Sequence, residues 1–277
     1  MKKKVLIVSP SLSMGGIQRA SSTIANHLVQ IDVDVTYMTL FPLNNFFELH
    51  PDITHENIPQ NLNRTKLSPV RTILWIRKTI IKNDPDAILC YNQFYAALTA
   101  VAIIRTSYKL ILTERSSPNY NWGIKVNLFT KIAFLLHKPY KVIAQTTTAA
   151  ASQRIRYPNI PIKVIPNALR SVKLFPTVQR SNIILAVGRF NDDCKGFDRL
   201  VKAFNLIKNQ EWRLVFAGGT RIDGQYLVNL AKNGRVAERI DFLGYVKDID
   251  KVYASAGIFV IPSRSEGFPN ALCEAMA

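Results

Sequence analysis

SNIILAVGRFNDDCKGFDRLVKAF, residues 181–204, opens on an apolar, β-branched run, turns through a glycine, an arginine and a lysine–glycine pair, and closes on an amphipathic stretch. A short buried run followed by helical periodicity is one βα unit of a parallel sheet. The pattern recurs on both sides. Before it come VLIVS (5–9), DVTYMTL (34–40), AILCY (87–91), KLILTE (109–114), KVIAQ (141–145) and KVIP (163–166); after it come WRLVFAG (212–218), RIDFLG (239–244) and GIFVIPS (257–263). The irregular stretch ALRSVKLFPTVQRS (168–181) interrupts the rhythm, which then restarts at residue 182. The expected fold class is therefore α/β, with two doubly wound, Rossmann-like modules over 1–170 and 182–277 joined by a linker over 171–181.

The chain has 277 residues and 48% hydrophobic content, enough for a sizeable core and too apolar for a disordered or collagen-like protein. Lys and Arg number 36 against 19 Asp and Glu, a net charge of +17 that calls for an anionic partner. The excess is uneven: residues 1–178 hold 22 basic and 8 acidic side chains, net +14, and residues 179–277 hold 14 and 11, net +3. Three scattered cysteines, Cys90, Cys194 and Cys273, form neither a disulfide framework nor a zinc pattern. The apolar run after MKKK is only Val5–Val8, too short for a secretory segment, and no window reaches the roughly 20 apolar residues of a membrane span. A cytoplasmic protein is expected, peripheral on the cytoplasmic face of the membrane.

Two segments of the basic module suit an anionic inner-leaflet surface. In RTILWIRKTIIK (71–82), Arg71, Trp75, Lys78 and Lys82 fall on one helical stripe and Ile73, Ile76 and Ile80 on another. In GIKVNLFTKIAFLLHKPYK, Lys125, Lys131, Lys138 and Lys141 punctuate an apolar surface of Phe129, Ile132, Leu135 and Leu136. The alternative is that both helices pack on the sheet and hold their lysines in water.

In open α/β sheets ligands bind beyond the carboxyl ends of the strands, so the loops after each strand are where chemistry is sought. Gly15-Gly16 follows the first strand and opens a helix, allowing close backbone approach and favouring an anion, although glycine pairs also serve as simple turns. Arg189 and Lys195 could converge on a diphosphate leaving group. In FVIPSRSEGFPNALCEAMA, Glu266 precedes Gly267, and Pro269 is placed for a helix start that carries Glu274. The two carboxylates can accept hydrogen bonds from sugar hydroxyls; otherwise Glu266 caps the helix and Glu274 is an exposed acid. Asn92-Gln93, Glu114-Arg115 and Thr146-Thr147 are polar loop pairs of the first module that could hold a second substrate or merely cap helices. No dinucleotide, P-loop, α/β-hydrolase or zinc-protease signature is present, and no RNA-binding signature converts the charge into a nucleic-acid interface.

GGIQRA (15–20), VIPN (164–167), VGRF (187–190), KGFDRLVKAF (195–204), VFAGG (215–219) and FLGYVKDIDKVYASAGIFVIPSRSEGFPNALCEAMA (242–277) together resemble the retaining glycosyltransferases of family 4, of GT-B type, similar to bacterial enzymes of capsule, O-antigen and lipid-linked glycan assembly. The resemblance implies two modules facing across a cleft and transfer of a hexose or N-acetylhexosamine from a nucleotide sugar, a UDP-sugar, to a lipid-linked or oligosaccharide acceptor. It implies that Arg189 and Lys195 neutralise the diphosphate, that Glu266 contacts the sugar and Glu274 the ribose, and that backbone at Gly15, Gly16, Gly267 and Phe268 meets the donor. It implies no metal and no further cofactor. Many relatives carry a histidine in the loop of Asn92, where this chain has none; Arg115, in TERSSPNY, is the expected substitute on the acceptor side. The chain stops inside the motif that spans Glu266 and Glu274, so the second module reads as truncated, and a catalytically silent remnant or partner-dependent subunit is the alternative expectation.

Overall fold

The computed structural model describes all residues except 1, 14, 42–44, 60–68, 116–121, 221, 233 and 235. Two compact units, Met1–Ala168 and Leu169–Ala277, each enclose one parallel sheet.

In the first unit the strands are β1 (Lys4–Ser9), β2 (Asp34–Thr39), β3 (Thr54–Asn57), β4 (Ala87–Tyr91), β5 (Leu110–Thr113), β6 (Lys141–Ala144) and β7 (Ile162–Val164), in the spatial order β3-β2-β1-β4-β5-β6-β7. Leu6, Ile7 and Val8 of β1 are fully buried, as a central strand covered on both faces requires. The helices are α1 (Gly16–Gln30), α2 (Pro69–Asn83), α3 (Gln93–Ala102), α4 (Ile124–Leu136) and α5 (Thr147–Arg156). β3, with the sequence THEN, has no apolar alternation to announce it; it is an edge strand held by register against β2.

α2 and α4 flank α3 in one layer, and their inner faces close the main core around Ile76, Ile80, Ala133 and Phe134. Trp75 departs from the expected interfacial stripe: it is half-buried and packs against this core. The outward apolar positions of α2 are instead Val70, Leu74 and Ile81, among exposed Arg71, Lys78 and Lys82. On α4 the expectation holds for Ile132, Leu135 and Leu136, joined by Ile124 and Leu128; Phe129 turns inward against Phe94. Among the described residues no helix is long and apolar enough to cross a membrane.

The second unit contains β8 (Ser181–Val187), β9 (Arg213–Ala217), β10 (Ile240–Gly244) and β11 (Ala256–Phe259), in the order β10-β9-β8-β11, with helices α6 (Phe197–Phe204), α7 (Gln225–Lys232), α8 (Ile249–Ser255) and α9 (Asn270–Met276). Its core is aromatic: Phe216 stacks on Phe242 at 5.3 Å between ring centroids and meets Phe197 at 5.1 Å. Phe190 completes the cluster by lying on Gly219, where a Cβ would stand 2.6 Å from its ring. β11 ends at Phe259, so the following Ile261-Pro262-Ser263 is loop rather than strand. Residues 171–181, expected as a linker, belong to the second unit; the Lys173 N–H donates to Asp250 Oδ2 at 2.8 Å.

Candidate active site

Each sheet has one place where the winding reverses, between β1 and β4 in the first and between β8 and β11 in the second. Loops leaving the carboxyl ends of such neighbouring strands diverge to opposite sides and leave a crevice, the usual ligand position in open α/β sheets.

In the second unit the two loops are 188–196 and 260–269. They are strapped together. The Arg264 guanidinium donates to Asp198 Oδ2 at 2.7 Å and to the Asp193 carbonyl at 2.6 Å, and its backbone N–H donates to the Cys194 carbonyl at 2.8 Å. Gly196 has φ +66°, and a Cβ there would stand 2.2 Å from the Pro262 carbonyl oxygen, so only glycine fits both the backbone and the approach. These ties bring together Lys195 and Glu266, 71 residues apart: Lys195 Nζ donates to Glu266 Oε1 at 2.9 Å, and Ser263 Oγ donates to the same oxygen at 2.6 Å. The pair is about a quarter exposed on each side. Glu266 therefore does not cap α9, whose N-cap is Pro269. Gly267 and Phe268 form the half-buried turn between them, and the Phe268 carbonyl accepts the Asn270 N–H at 3.0 Å.

Arg189 leaves the same loop but turns onto Asp192 at 2.8 Å and is 61% exposed, so the structure places it beside Lys195 in sequence without bringing it to Glu266. Glu274, far from being an exposed acid, is 4% exposed. Its Oε2 accepts from Arg170 at 3.1 Å, with the Tyr253 hydroxyl 3.5 Å away. Arg170 also donates through both terminal nitrogens to Asp250. The Asp250 carboxylate, helped by Glu274, pushes the Arg170 pKa above the ordinary arginine value. Sequence reasoning missed Arg170. It lies in an irregular stretch, and no periodicity connects it to Asp250 or Glu274.

In the first unit the loop after β1 carries Gly15 and Gly16 at the start of α1, with Gly15 as N-cap. Hydroxyls brace it from beneath: Ser21 Oγ lies 2.5 Å from the Tyr37 hydroxyl and 3.2 Å from Ser9 Oγ. Burial holds the Tyr37 phenol protonated, its pKa pushed up to about 12. After β4, Asn92 is 6% exposed, takes φ 98°, and caps α3 by accepting the Phe94 N–H at 2.8 Å. Such a φ is costly for a side-chain-bearing residue and is kept where its surroundings over-determine it. After β5, the Arg115 guanidinium lies 5.3 Å from the centre of the Tyr91 ring, donates to Thr113 Oγ1 at 3.3 Å, and bonds Asn167 of VIPN. Burial lowers its pKa, opposed by Tyr91 and Glu114. Thr146 caps α5. The sequence also points to loops 42–64 and 115–124 for acceptor selection; of these, 42–44, 60–64 and 116–121 lie outside the described residues. Among the described residues no group of three His, Cys, Asp or Glu side chains could hold a metal ion.

Residues 14–170 match the Glycosyltransferase Family 4 profile and residues 181–277 the profile of glycosyl transferases group 1. A glycosyltransferase of Haemophilus influenzae, itself uncharacterized, is 25% identical over all of this chain and 78% of its own length. A Campylobacter jejuni α-1,4-N-acetyl-D-galactosaminyltransferase, named for an undecaprenol-diphosphate-linked GalNAc acceptor, is 22% identical over 99% of this chain and 76% of its own length. Among solved structures, a sucrose-phosphate synthase from Thermosynechococcus elongatus superposes with TM-score 0.79 at 16% identity, over 99% of this chain and 79% of that one. Anabaena Alr3699/HepE in complex with UDP and glucose does so with TM-score 0.76 at 17%, over 99% and 78%. These likenesses extend through both units, so the fold is the two-part GT-B fold, and the chain belongs to glycosyltransferase family 4.

Proposed function

We propose that the protein transfers a hexose or N-acetylhexosamine from a UDP-sugar to a lipid-linked or oligosaccharide acceptor in bacterial surface-polysaccharide assembly, retaining the anomeric configuration. The observation that carries this reading is the Lys195–Glu266 pair in the crevice between β8 and β11. A fixed cation beside a carboxylate suits a nucleotide sugar, whose diphosphate is anionic and whose sugar hydroxyls donate hydrogen bonds. Lys195 and Arg189 neutralise the diphosphate as the bond between it and the anomeric carbon breaks. Glu266 accepts from the sugar hydroxyls, Glu274 meets the ribose, and the backbone at Gly267, Phe268, Gly15 and Gly16 lines the donor. The acceptor oxygen forms the new bond on the face the diphosphate leaves, and the acceptor proton passes to the departing phosphate oxygen. Arg189 and Lys195 supply the positive charge, so no metal is required. Asn92 and Arg115 serve the acceptor side. The lipid-linked acceptor named for the Campylobacter relative and the UDP complex of Anabaena HepE support this assignment of substrates.

The same reading places the protein on the cytoplasmic membrane face through α2 and α4, whose outward apolar residues stand among Arg71, Lys78, Lys82, Lys131 and Lys138. The test is transfer from UDP-sugars to polyprenol-diphosphate-linked saccharides. Lys195→Ala and Glu266→Ala should each lower kcat/KM by about 100-fold or more, the loss usual for one preorganised charge-stabilising group. Activity should persist in EDTA. Wild-type rates in either variant would overturn the assignment.

A further inference from the structure

We propose that Arg170 is a positioning residue for the donor site, holding Glu274 in one orientation toward the nucleotide; the inference rests on the reading of Glu274 as a donor-binding carboxylate. Asp250 on α8 and Glu274 on α9 are 8% and 4% exposed, and both point at the same place. Two buried carboxylates facing one site repel each other. Arg170 offsets that repulsion. It engages Asp250 through both terminal nitrogens and reaches Glu274 Oε2 with the second of them. A planar guanidinium can hold two carboxylates at fixed angles; an ammonium group cannot reproduce that geometry. Asp250 is in turn fixed by the Lys173 N–H at 2.8 Å, so the strap runs from the start of the second unit through α8 to α9.

A hydrogen bond to a charged group, once lost, changes binding by about 10-fold or more. The experiment measures UDP affinity by calorimetry and donor KM and kcat for Arg170→Lys, Asp250→Asn, Glu274→Gln and the Arg170→Lys/Glu274→Gln double variant, with thermal unfolding alongside. The expected result is a UDP Kd and donor KM raised about 10-fold in Arg170→Lys. kcat should stay near wild type, because ribose contacts bind ground and transition states alike. The double variant should bind no more weakly than Glu274→Gln alone, since the two residues act as one unit. Asp250→Asn should weaken UDP in the same direction and stands in if Arg170→Lys does not fold. A folded Arg170→Lys or Asp250→Asn with unchanged Kd and KM, while Glu274→Gln binds poorly, overturns the positioning role and leaves Glu274 as a ligand. Normal UDP binding by Glu274→Gln instead overturns the reading of Glu274, and the inference with it.

Discussion

The loops of the second unit and helices α2 and α4 of the first use most of their cations differently, Lys82 of α2 being paired with Glu56 at 2.7 Å. In the second, Arg170, Arg189, Lys195 and Arg264 each meet a carboxylate within 4.0 Å. On α2 and α4 of the first, Arg71, Lys78, Lys125 and Lys131 are exposed, and among the described residues no carboxylate lies within salt-bridge distance of them. A paired cation fixes geometry; an unpaired one among exposed apolar side chains contributes a long-range field that an anionic surface can use. Net charge alone hides this distinction: the unit holding the paired cations carries +5 and the other +12.

Four variants would break or sharpen the contrast. The largest effect is expected for Phe216→Ala, which empties the centre of the aromatic cluster under the second sheet and should cost about 3–5 kcal/mol in denaturant unfolding. Next, charge reversal at Lys125, Lys131 and Lys138 together should lower partitioning onto anionic phospholipid vesicles by at least about 100-fold, at roughly 1 kcal/mol per lysine near the surface, with secondary structure unchanged. Equal partitioning of that variant would return α4 to an ordinary solvated helix. Gly196→Ala should destabilise by about 1–3 kcal/mol and weaken UDP binding, because relieving the contact with Pro262 pulls the loop of Lys195 away from that of Glu266. Leu135→Ser, at a position 80% exposed, should shift stability by less than about 0.5 kcal/mol while reducing adhesion to vesicles.

The thiols offer a further check without mutation. Cys90 is fully buried, its pKa pushed up to about 12 by desolvation, whereas Cys194 is exposed in the turn beside Lys195. An aromatic disulfide reagent at neutral pH should label Cys194 first and Cys90 only on unfolding. Protection of Cys194 by UDP would tie the turn to donor binding.

Periodicity placed every strand but β3, with ends within two residues except that of β11, because a buried parallel strand needs an unbroken apolar run and the intervening helices need an apolar stripe. It also marked Lys195 and Glu266 individually, each in a loop after such a run. It could not bring them together: hydrophobic pattern carries no strand order, and their contact exists because β11 lies beside β8. β3 was invisible for the opposite reason, as THEN pairs through its backbone at an edge with little to bury. Trp75 was misplaced because helical spacing assigns residues to a stripe without saying how far the core reaches around the helix; the indole is half-buried against the main core. Arg170 was hidden by distance, since its partners lie 80 and 104 residues further along.

The placement of β11 against β8 also bears on when the protein acquires its chemistry. Lys195 and Glu266 are separated by 71 residues, most of them forming β9, β10 and the helices between. At about 5–20 residues per second a ribosome needs roughly 4–14 s to supply that length. Until β11 docks beside β8, Lys195 has no Glu266 to pair with. Affinity for a nucleotide diphosphate should therefore appear only with the slow, non-local closure of the second sheet, and its onset during refolding would time that step.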